Sequence, residues 1–327
     1  MRGVVSVVFV VLWLAASIAA AAAEPCPGNP DALGTSRVLT ISPSDFSRIG
    51  SMQYAKTLPL NDHEVVITFD DGPIPPYTNI ILDTLASQCV KVTYFLVGEM
   101  AQAYPSIVRH IYNAGHTIGT HSQNHPYAFQ RLKMPGVERQ VDAGIASVDA
   151  ALGDPKALSP FFRIPGLGRT SAIDNYLASK SLVTWSADVV ADDWKHIGAS
   201  EIVRRAMRRL EEKGRGILLL HDIHPATAMA LPTLLKELKD HGYHVVQVVA
   251  AGERPESLPE LGASADGNKE AWPRVLQTKA THETPAKTTL HHRVKKLISG
   301  KRRRPTVASL HEPDYGAYAP DWRQSQF

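Results

Sequence analysis

Between Glu64 and Ala251, short apolar runs alternate with longer segments in which apolar residues recur with helical period. The short runs predict seven strands, at Glu64–Phe69, Lys91–Val97, Thr117–Thr120, Phe161–Ile164, Leu182–Ser186, Gly216–Leu220 and His244–Val249. The longer segments predict helices at Asn79–Ser87, Pro105–Ala114, Val137–Leu152, Ser171–Ser179, Ala199–Lys213 and Ala228–His241. Strands separated by helices indicate an α/β fold of parallel βαβ units. Seven parallel strands favour a (β/α) barrel over an open sheet, although the alternation is compatible with both.

The segments on either side of residues 62–251 lack this alternation. Residues 24–61 have no sustained period and are interpreted as an N-terminal arm rather than a domain. Residues 252–327 are rich in Pro, Thr, Glu, Lys and Gly, and a basic run without acidic residues extends from Arg293 to Arg304. This composition predicts a disordered tail. Contact of the basic run with an anionic surface, such as a phospholipid leaflet or an acidic polymer, is the functional alternative.

Residues 1–23 have the pattern of a secretory signal peptide. Arg2 supplies the positive charge, Val4 to Ala16 the apolar stretch, and Ala21–Ala23 a small-residue cleavage site. An uncleaved membrane anchor is the alternative, but the apolar stretch is shorter than the ~20 residues of a spanning helix. We therefore expect an exported protein, periplasmic or secreted. In that compartment Cys26 and Cys89 could form a disulfide, although Cys89 could equally be a buried small apolar residue.

Length and composition add few constraints. The 327 residues allow one large or two small domains, and 44% hydrophobic residues allow a sizeable core. The formal charge of +3 is too small to indicate a nucleic-acid partner. Nothing in the sequence determines the oligomeric state.

Polar residues that could bind a metal or transfer a proton follow five of the seven predicted strands. They are Asp70 with Asp71, His121, Arg163, Asp188, and His221 with Asp222. In parallel α/β folds the carboxyl ends of the strands form the rim where active sites collect. The pattern therefore predicts a site at this rim rather than scattered surface charges.

Asp70, Asp71, His121 and His125 have the residue types of a divalent-metal site with one carboxylate to spare. The spacing of four predicts that both imidazoles lie on one side of a helical turn. One aspartate can be a ligand while the other, unbound, serves as a base, since adjacent side chains at a strand end point in different directions. An Asp-Gly-Pro turn without function is the alternative for the aspartates taken alone.

His221 follows a wholly apolar strand and is a candidate acid near neutral pH. Asp193 could bind the second imidazole nitrogen of His221, and the Trp194 indole could form a pocket wall. Arg163 could orient a carboxylate through a bidentate contact, or form an ordinary surface ion pair.

In this order, the segments around Asp70, His121, Arg163, Asp193 and His221 resemble the polysaccharide deacetylase family, which is carbohydrate esterase family 4 with its NodB homology domain. The resemblance covers about residues 62–251. It implies a distorted (β/α) barrel and a metal-dependent hydrolase that removes N-acetyl or O-acetyl groups from a carbohydrate polymer.

The resemblance also implies roles for individual residues. Asp70 would be the catalytic base, Arg163 would orient Asp70, His221 would be the general acid, and Asp193 would tune His221. Asp71, His121 and His125 would bind one divalent ion; two histidines and a carboxylate suit Zn²⁺, with Co²⁺, Ni²⁺ and Mn²⁺ compatible. Leu219 and Trp194 would line the acetyl pocket, and a backbone N–H near Gly166 would stabilise the oxyanion.

Two departures from the family pattern affect these roles. Gly166 follows Pro165 where the family usually has an aromatic residue, so this wall of the groove must be missing or come from elsewhere. The fourth motif is longer than usual by two residues, so Asp188 or Asp192 could replace Asp193 as the partner of His221. Two other function classes remain: a non-catalytic glycan-binding protein, and a phosphoryl-transfer enzyme, for which no G-x-x-x-x-G-K-[ST] loop is present.

Overall fold

The structure is a computed structural model that describes residues 26–252 together with Glu256 and Leu258. The predicted signal peptide and almost all of the predicted basic tail lie outside these residues. Within the described part of the chain, no helix combines the length and apolarity needed to cross a membrane.

Within the described residues, ten strands form the sheet, and every pairing between them is parallel. They are β1 (Thr35–Ile41), β2 (Arg48–Ile49), β3 (Glu64–Asp70), β4 (Thr93–Leu96), β5 (Thr117–Thr120), β6 (Phe161–Arg163), β7 (Val183–Trp185), β8 (Val189–Val190), β9 (Gly216–His221) and β10 (His244–Ala250). All seven predicted strands are present. The sequence pattern missed β1, β2 and β8.

The strand order produces a distorted barrel. From β9 the sheet passes through β3, β4, β5 and β6 to β7, and β8 pairs back with β9. β7 and β8 are consecutive in the chain. The segment after β7, the last strand of this series, therefore leads directly to β8, which pairs with the first strand, β9. Among the described strands no ladder joins β7 directly to β9, so the barrel is not fully hydrogen-bonded.

In the part of the chain that the structure describes, seven α-helices cover the barrel. They are α1 (Tyr77–Ser87), α2 (Gly98–Ala103), α3 (Pro105–Asn113), α4 (Met134–Leu152), α5 (Ser171–Ser179), α6 (Ala199–Lys213) and α7 (Pro225–Asp240). The six predicted helices are confirmed to within a few residues, and only the short α2 was missed. Gly153 and Gly214 end α4 and α6 with positive φ of 79° and 73°, as expected of C-capping glycines.

The segment before Asp62 takes part in the sheet. β1 pairs with β10 along its length, and β2 pairs with β7. β2 has only two residues, and β1 has a mostly half-exposed surface without strict alternation, so neither gives the apolar pattern of a buried strand. Nine residues of the predicted N-terminal arm therefore belong to the sheet.

Strand alternation divides the core into two main parts. Val65, Ile67 and Phe69 of β3 pack against the covering helices, whereas Val66 packs in the barrel interior. Leu218 and Leu220 of β9 likewise face the helices. The other face of β9 therefore points into the barrel, and at its carboxyl end it reaches the rim.

Cys26 and Cys89 form a disulfide with an S–S distance of 2.05 Å. The bond closes a loop with a sequence separation of 63 residues, which contains β1, β2, β3 and α1. It fastens the beginning of the N-terminal segment to the end of α1.

Replacing Cys26 and Cys89 together with serine should lower the free energy of unfolding by about 2–4 kcal/mol, because the unfolded chain regains the entropy of an open loop. Urea unfolding, followed by circular dichroism with and without reductant, measures this. The wild type should respond to reductant and the double variant should not. Equal midpoints for the two proteins under oxidising conditions would contradict the prediction.

Candidate active site

Asp70 and Asp71 lie where β3 ends at the rim. All seven residues of β3 are buried, and Asp70 is paired in register with His221 of β9 on one side and Phe95 of β4 on the other. Asp71 has a positive φ of 78°, so the chain turns sharply after the strand. Both carboxylates approach His121, with Asp70 Oδ2 3.8 Å and Asp71 Oδ1 3.4 Å from Nε2.

Asp71, His121 and His125 form the one group of potential metal ligands found in the described residues. Their donor atoms all lie within 4.8 Å of one another. Asp71 Oδ1 lies 3.4 Å from His121 Nε2 and 3.5 Å from His125 Nε2. Asp71 Oδ1 is also buried without a hydrogen-bond partner, which a bound cation would supply.

The two histidines converge without a helical turn, so that part of the prediction was wrong. His121 follows β5, and residues 121–126 contain no helix, only a bend at residues 123 and 124. Ser122 and His125 have positive φ values of 68° and 48°. The Ser122 hydroxyl accepts a hydrogen bond from the His125 backbone N–H at 3.1 Å, which holds the loop in this curved form.

The imidazole of His121 is oriented so that its Nε2 can bind a metal ion. Its Nδ1 lies 2.6 Å from the carbonyl oxygen of Arg163 and donates a hydrogen bond to it, so Nε2 keeps its lone pair. Burial lowers the pKa of His121 to about 4, so the ring is neutral near pH 7. Burial raises the pKa of Asp71, but the charges of the surrounding histidines outweigh it and lower the pKa to about 2. The protonation states are those of metal ligands.

Arg163 is fully buried and contacts Asp70. Its Nη1 donates to Asp70 Oδ1 at 2.7 Å and to the Thr68 hydroxyl at 2.7 Å, and its Nη2 donates to the Ser186 carbonyl at 3.0 Å. The guanidinium lies over the Phe95 ring, 4.2 Å from the centroid. The contact with Asp70 uses one nitrogen, so the predicted bidentate geometry was wrong, and a surface ion pair is excluded.

His221 contacts Asp193. His221 Nδ1 lies 2.8 Å from Asp193 Oδ1, and the His221 backbone N–H donates to Asp193 Oδ2 at 2.7 Å. Thr227 donates a further hydrogen bond to Asp193 Oδ2 at 2.7 Å. Burial lowers the pKa of His221, but the charge and hydrogen bond of Asp193 outweigh it and raise the pKa to about 10. The imidazole is therefore protonated near neutral pH.

The two alternative partners of His221 have other contacts. Asp188 accepts hydrogen bonds from the backbone N–H groups of Ser51 and Ile217 and from the Thr57 hydroxyl. It therefore connects the N-terminal segment to β9. Asp192 forms ion pairs with Arg205 and Arg209 of α6.

Trp194 and Leu219 lie beside His221. The Trp194 ring is edge-on to the imidazole, with 5.7 Å between centroids, and the side chain is 40% exposed. Leu219 is buried two residues before His221 on the same face of β9. Gly166 has a φ of 61° and lines a cavity next to His125.

The sequence reasoning overlooked three residues that support this site. Thr68 donates its hydroxyl hydrogen to the Leu218 carbonyl and accepts from Arg163; its position two residues before Asp70 on the same strand face was a usable signal. Thr227 in the first turn of α7 contacts Asp193, and no local pattern indicates that contact. Tyr127 is 68% exposed and lines the cavity beside Gly166.

Comparisons with known proteins agree with this fold. The family described as polysaccharide deacetylase matches residues 58–185. A peptidoglycan-N-acetylglucosamine deacetylase of Bacillus cereus is 33% identical over 196 residues, which are 58% of this chain and 89% of that protein. The chain belongs to the polysaccharide deacetylase family.

A peptidoglycan-N-acetylglucosamine deacetylase of Listeria monocytogenes is 30% identical over 187 residues, which are 56% of this chain but only 38% of that longer protein. Among solved structures, a peptidoglycan deacetylase of Bdellovibrio bacteriovorus superposes with a TM-score of 0.59 at 28% identity, covering 66% of this chain and 59% of that one. This likeness confirms the distorted (β/α) barrel predicted from the sequence.

Proposed function

We propose that this protein is a metal-dependent hydrolase that removes N-acetyl groups from a carbohydrate polymer or oligomer of the peptidoglycan or chitooligosaccharide type. The observation that carries the proposal is the arrangement of two separate proton-transfer groups, Asp70 and His221, around one Asp–His–His cluster. The names of the relatives support the substrate class.

Asp71, His121 and His125 would hold one divalent ion, with Zn²⁺ the best match to two imidazoles and a carboxylate. The unpartnered Asp71 Oδ1 and the free Nε2 of His121 suit this role. When bound, such an ion polarises the acetyl carbonyl and lowers the pKa of a coordinated water.

Asp70 is positioned to act as the base. Arg163 holds its Oδ1, while Oδ2 lies 3.8 Å from His121 Nε2 and faces the cluster. Oδ2 accepts the proton of the water that attacks the acetyl carbon. The buried guanidinium fixes the direction of the Asp70 carboxylate.

His221 is positioned to act as the acid on the opposite side of Asp71. Its Nε2 lies 4.0 Å from Asp71 Oδ2, whereas Nδ1 is held by Asp193. Nε2 donates its proton to the sugar nitrogen as the C–N bond breaks, which releases acetate and a free amine. Leu219 and Trp194 would enclose the acetyl methyl group, and the Gly166 backbone N–H would donate to the oxyanion.

Export of the protein follows from the proposed substrate. Peptidoglycan lies outside the cytoplasm, and the Cys26–Cys89 disulfide is typical of oxidising compartments. The predicted signal peptide agrees with this location.

The proposal predicts acetate release from acetylated glycans in the presence of Zn²⁺, Co²⁺, Ni²⁺ or Mn²⁺. The panel should contain chitooligosaccharides, peptidoglycan and acetylated xylan, so that amide and ester substrates are compared, and the metal content of the same sample should be measured. We expect release from at least one amide substrate and loss of activity after chelation. A protein that binds glycans but releases no acetate under any of these conditions would be a non-catalytic relative.

A further inference from the structure

A cavity of about 270 Å³ adjoins the metal-ligand cluster. His125 belongs to both, and the other lining residues come from two loops: Pro126, Tyr127, Ala128, Gln130 and Arg131 from one, and Pro165 and Gly166 from the other. Small-molecule sites usually measure roughly 300–1,000 Å³. The cavity therefore suits one sugar ring with a substituent rather than several rings.

Tyr127 supplies the aromatic surface that position 166 lacks. Gly166 has a left-handed φ of 61°, which disfavours any larger residue there, and no atom lies within 4 Å of the position a Cβ would take. Tyr127 lines the same cavity with 68% of its surface exposed. A flat exposed ring beside an open wall can pack against the C–H bonds of a pyranose face.

The loop that carries Tyr127 is fixed from beneath. Phe129 is completely buried, and its ring centroid lies 6.4 Å from that of Phe162 on β6. The Gln130 side chain lies over Gly168, where a Cβ would be only 2.2 Å from its Oε1. These contacts join the two loops that line the cavity, so the backbone that carries Tyr127 and Arg131 is held in place by its neighbours Phe129 and Gln130.

Among the described residues that line the cavity, Arg131 alone has a permanent charge. Within residues 26–252 no carboxylate forms an ion pair with it, whereas Arg169, Arg205 and Arg209 are each paired. None of the described acidic side chains lines the cavity. An unpaired guanidinium at the edge of a sugar-sized cavity matches the planar, bidentate geometry of a carboxylate.

We propose that this cavity is a sugar subsite in which Tyr127 packs on a pyranose ring and Arg131 pairs with a carboxylate on that sugar. The inference rests on the proposed function, because it names the substrate group that the same site recognises. The carboxylate could belong to a lactyl ether or to a uronic acid, since both present the same two oxygens.

The test compares three acetylated glycans: peptide-free peptidoglycan strands with lactyl carboxylates, the same strands with those carboxylates converted to methylamides, and a uronic-acid polymer. Wild-type protein should prefer a carboxylate-bearing glycan, and Arg131→Gln should reduce that preference by about 10- to 100-fold through KM rather than kcat. The preferred polymer identifies the source of the carboxylate. Tyr127→Ala should raise KM for all three, and Tyr127→Phe should restore it.

The matched control is Arg139→Gln, which removes an exposed arginine of α4 that does not line the cavity. An equal loss of preference in Arg139→Gln, or no preference in the wild type, would overturn the inference. Calorimetric binding to Asp70→Asn separates the two proposals. Binding that depends on Arg131, without acetate release by the wild type, would refute the hydrolase and keep the subsite.

Discussion

Asp70→Asn should lower acetate release by about 10²- to 10⁴-fold while the protein keeps its metal, because an amide cannot accept the proton of the attacking water. Asp71, His121 and His125 are unchanged in this variant, and the amide oxygen can still accept from Arg163. His125→Ala, in contrast, removes a proposed ligand atom, which lies 3.5 Å from Asp71 Oδ1, and should lose both metal and activity. Acetate release and metal content, measured on the same samples, test the pair.

Comparing Asp70→Asn with His125→Ala is a strict test of the role of Asp70, because Asp70 Oδ2 lies only 3.8 Å from His121 Nε2. If Asp70 were a ligand, Asp70→Asn would lose metal as His125→Ala does, and the assignment of the two aspartates would be wrong. Asp83→Asn, an exposed carboxylate of α1, is the matched control and should keep both metal and rate.

Asp193→Asn should move the alkaline limb of the kcat profile to lower pH. The acid must be protonated to donate, so activity is lost as pH rises through the pKa of His221. The pKa of His221 is raised to about 10, with Asp193 the largest raising contribution; without that carboxylate, burial lowers the pKa toward the ordinary value of 6.5 against the smaller raising effects of Asp71 and Asp70. At pH 8 we therefore expect kcat to fall by about ten-fold or more, with smaller loss at pH 6.

Asp192→Asn is the control for that profile. It removes a neighbouring buried carboxylate that pairs with Arg205 and Arg209 rather than with His221. Its alkaline limb should match the wild type. If the alkaline limb shifted in Asp192→Asn but not in Asp193→Asn, the hydrogen bond between Asp193 and His221 would not be the cause of the raised pKa of His221. Thermal melts of both variants show whether they remain folded.

Much of the fold follows from patterns that act locally. The apolar run before Asp70 is buried on both faces, so its length and end were readable without the tertiary structure. β1 and β2 could not be predicted from the sequence. A half-exposed or two-residue strand is stabilised by pairing with its partner strand and has no apolar pattern of its own. The sequence left two alternatives for Cys89, a disulfide with Cys26 or a buried small apolar residue. The choice depends on the Cα–Cα distance, 5.6 Å in the structure, between two residues far apart in sequence.

The sequence by itself determined which chemical groups stand at the ends of the strands, because strand alternation and the rim of a parallel barrel are consequences of local periodicity. Only the tertiary structure decided how those groups meet. It chose Asp193 over Asp188 and Asp192, replaced a helical turn by a curved loop at His125, and brought Tyr127 beside Gly166. These contacts depend on loops whose paths are set by packing between distant segments, and no local pattern encodes them.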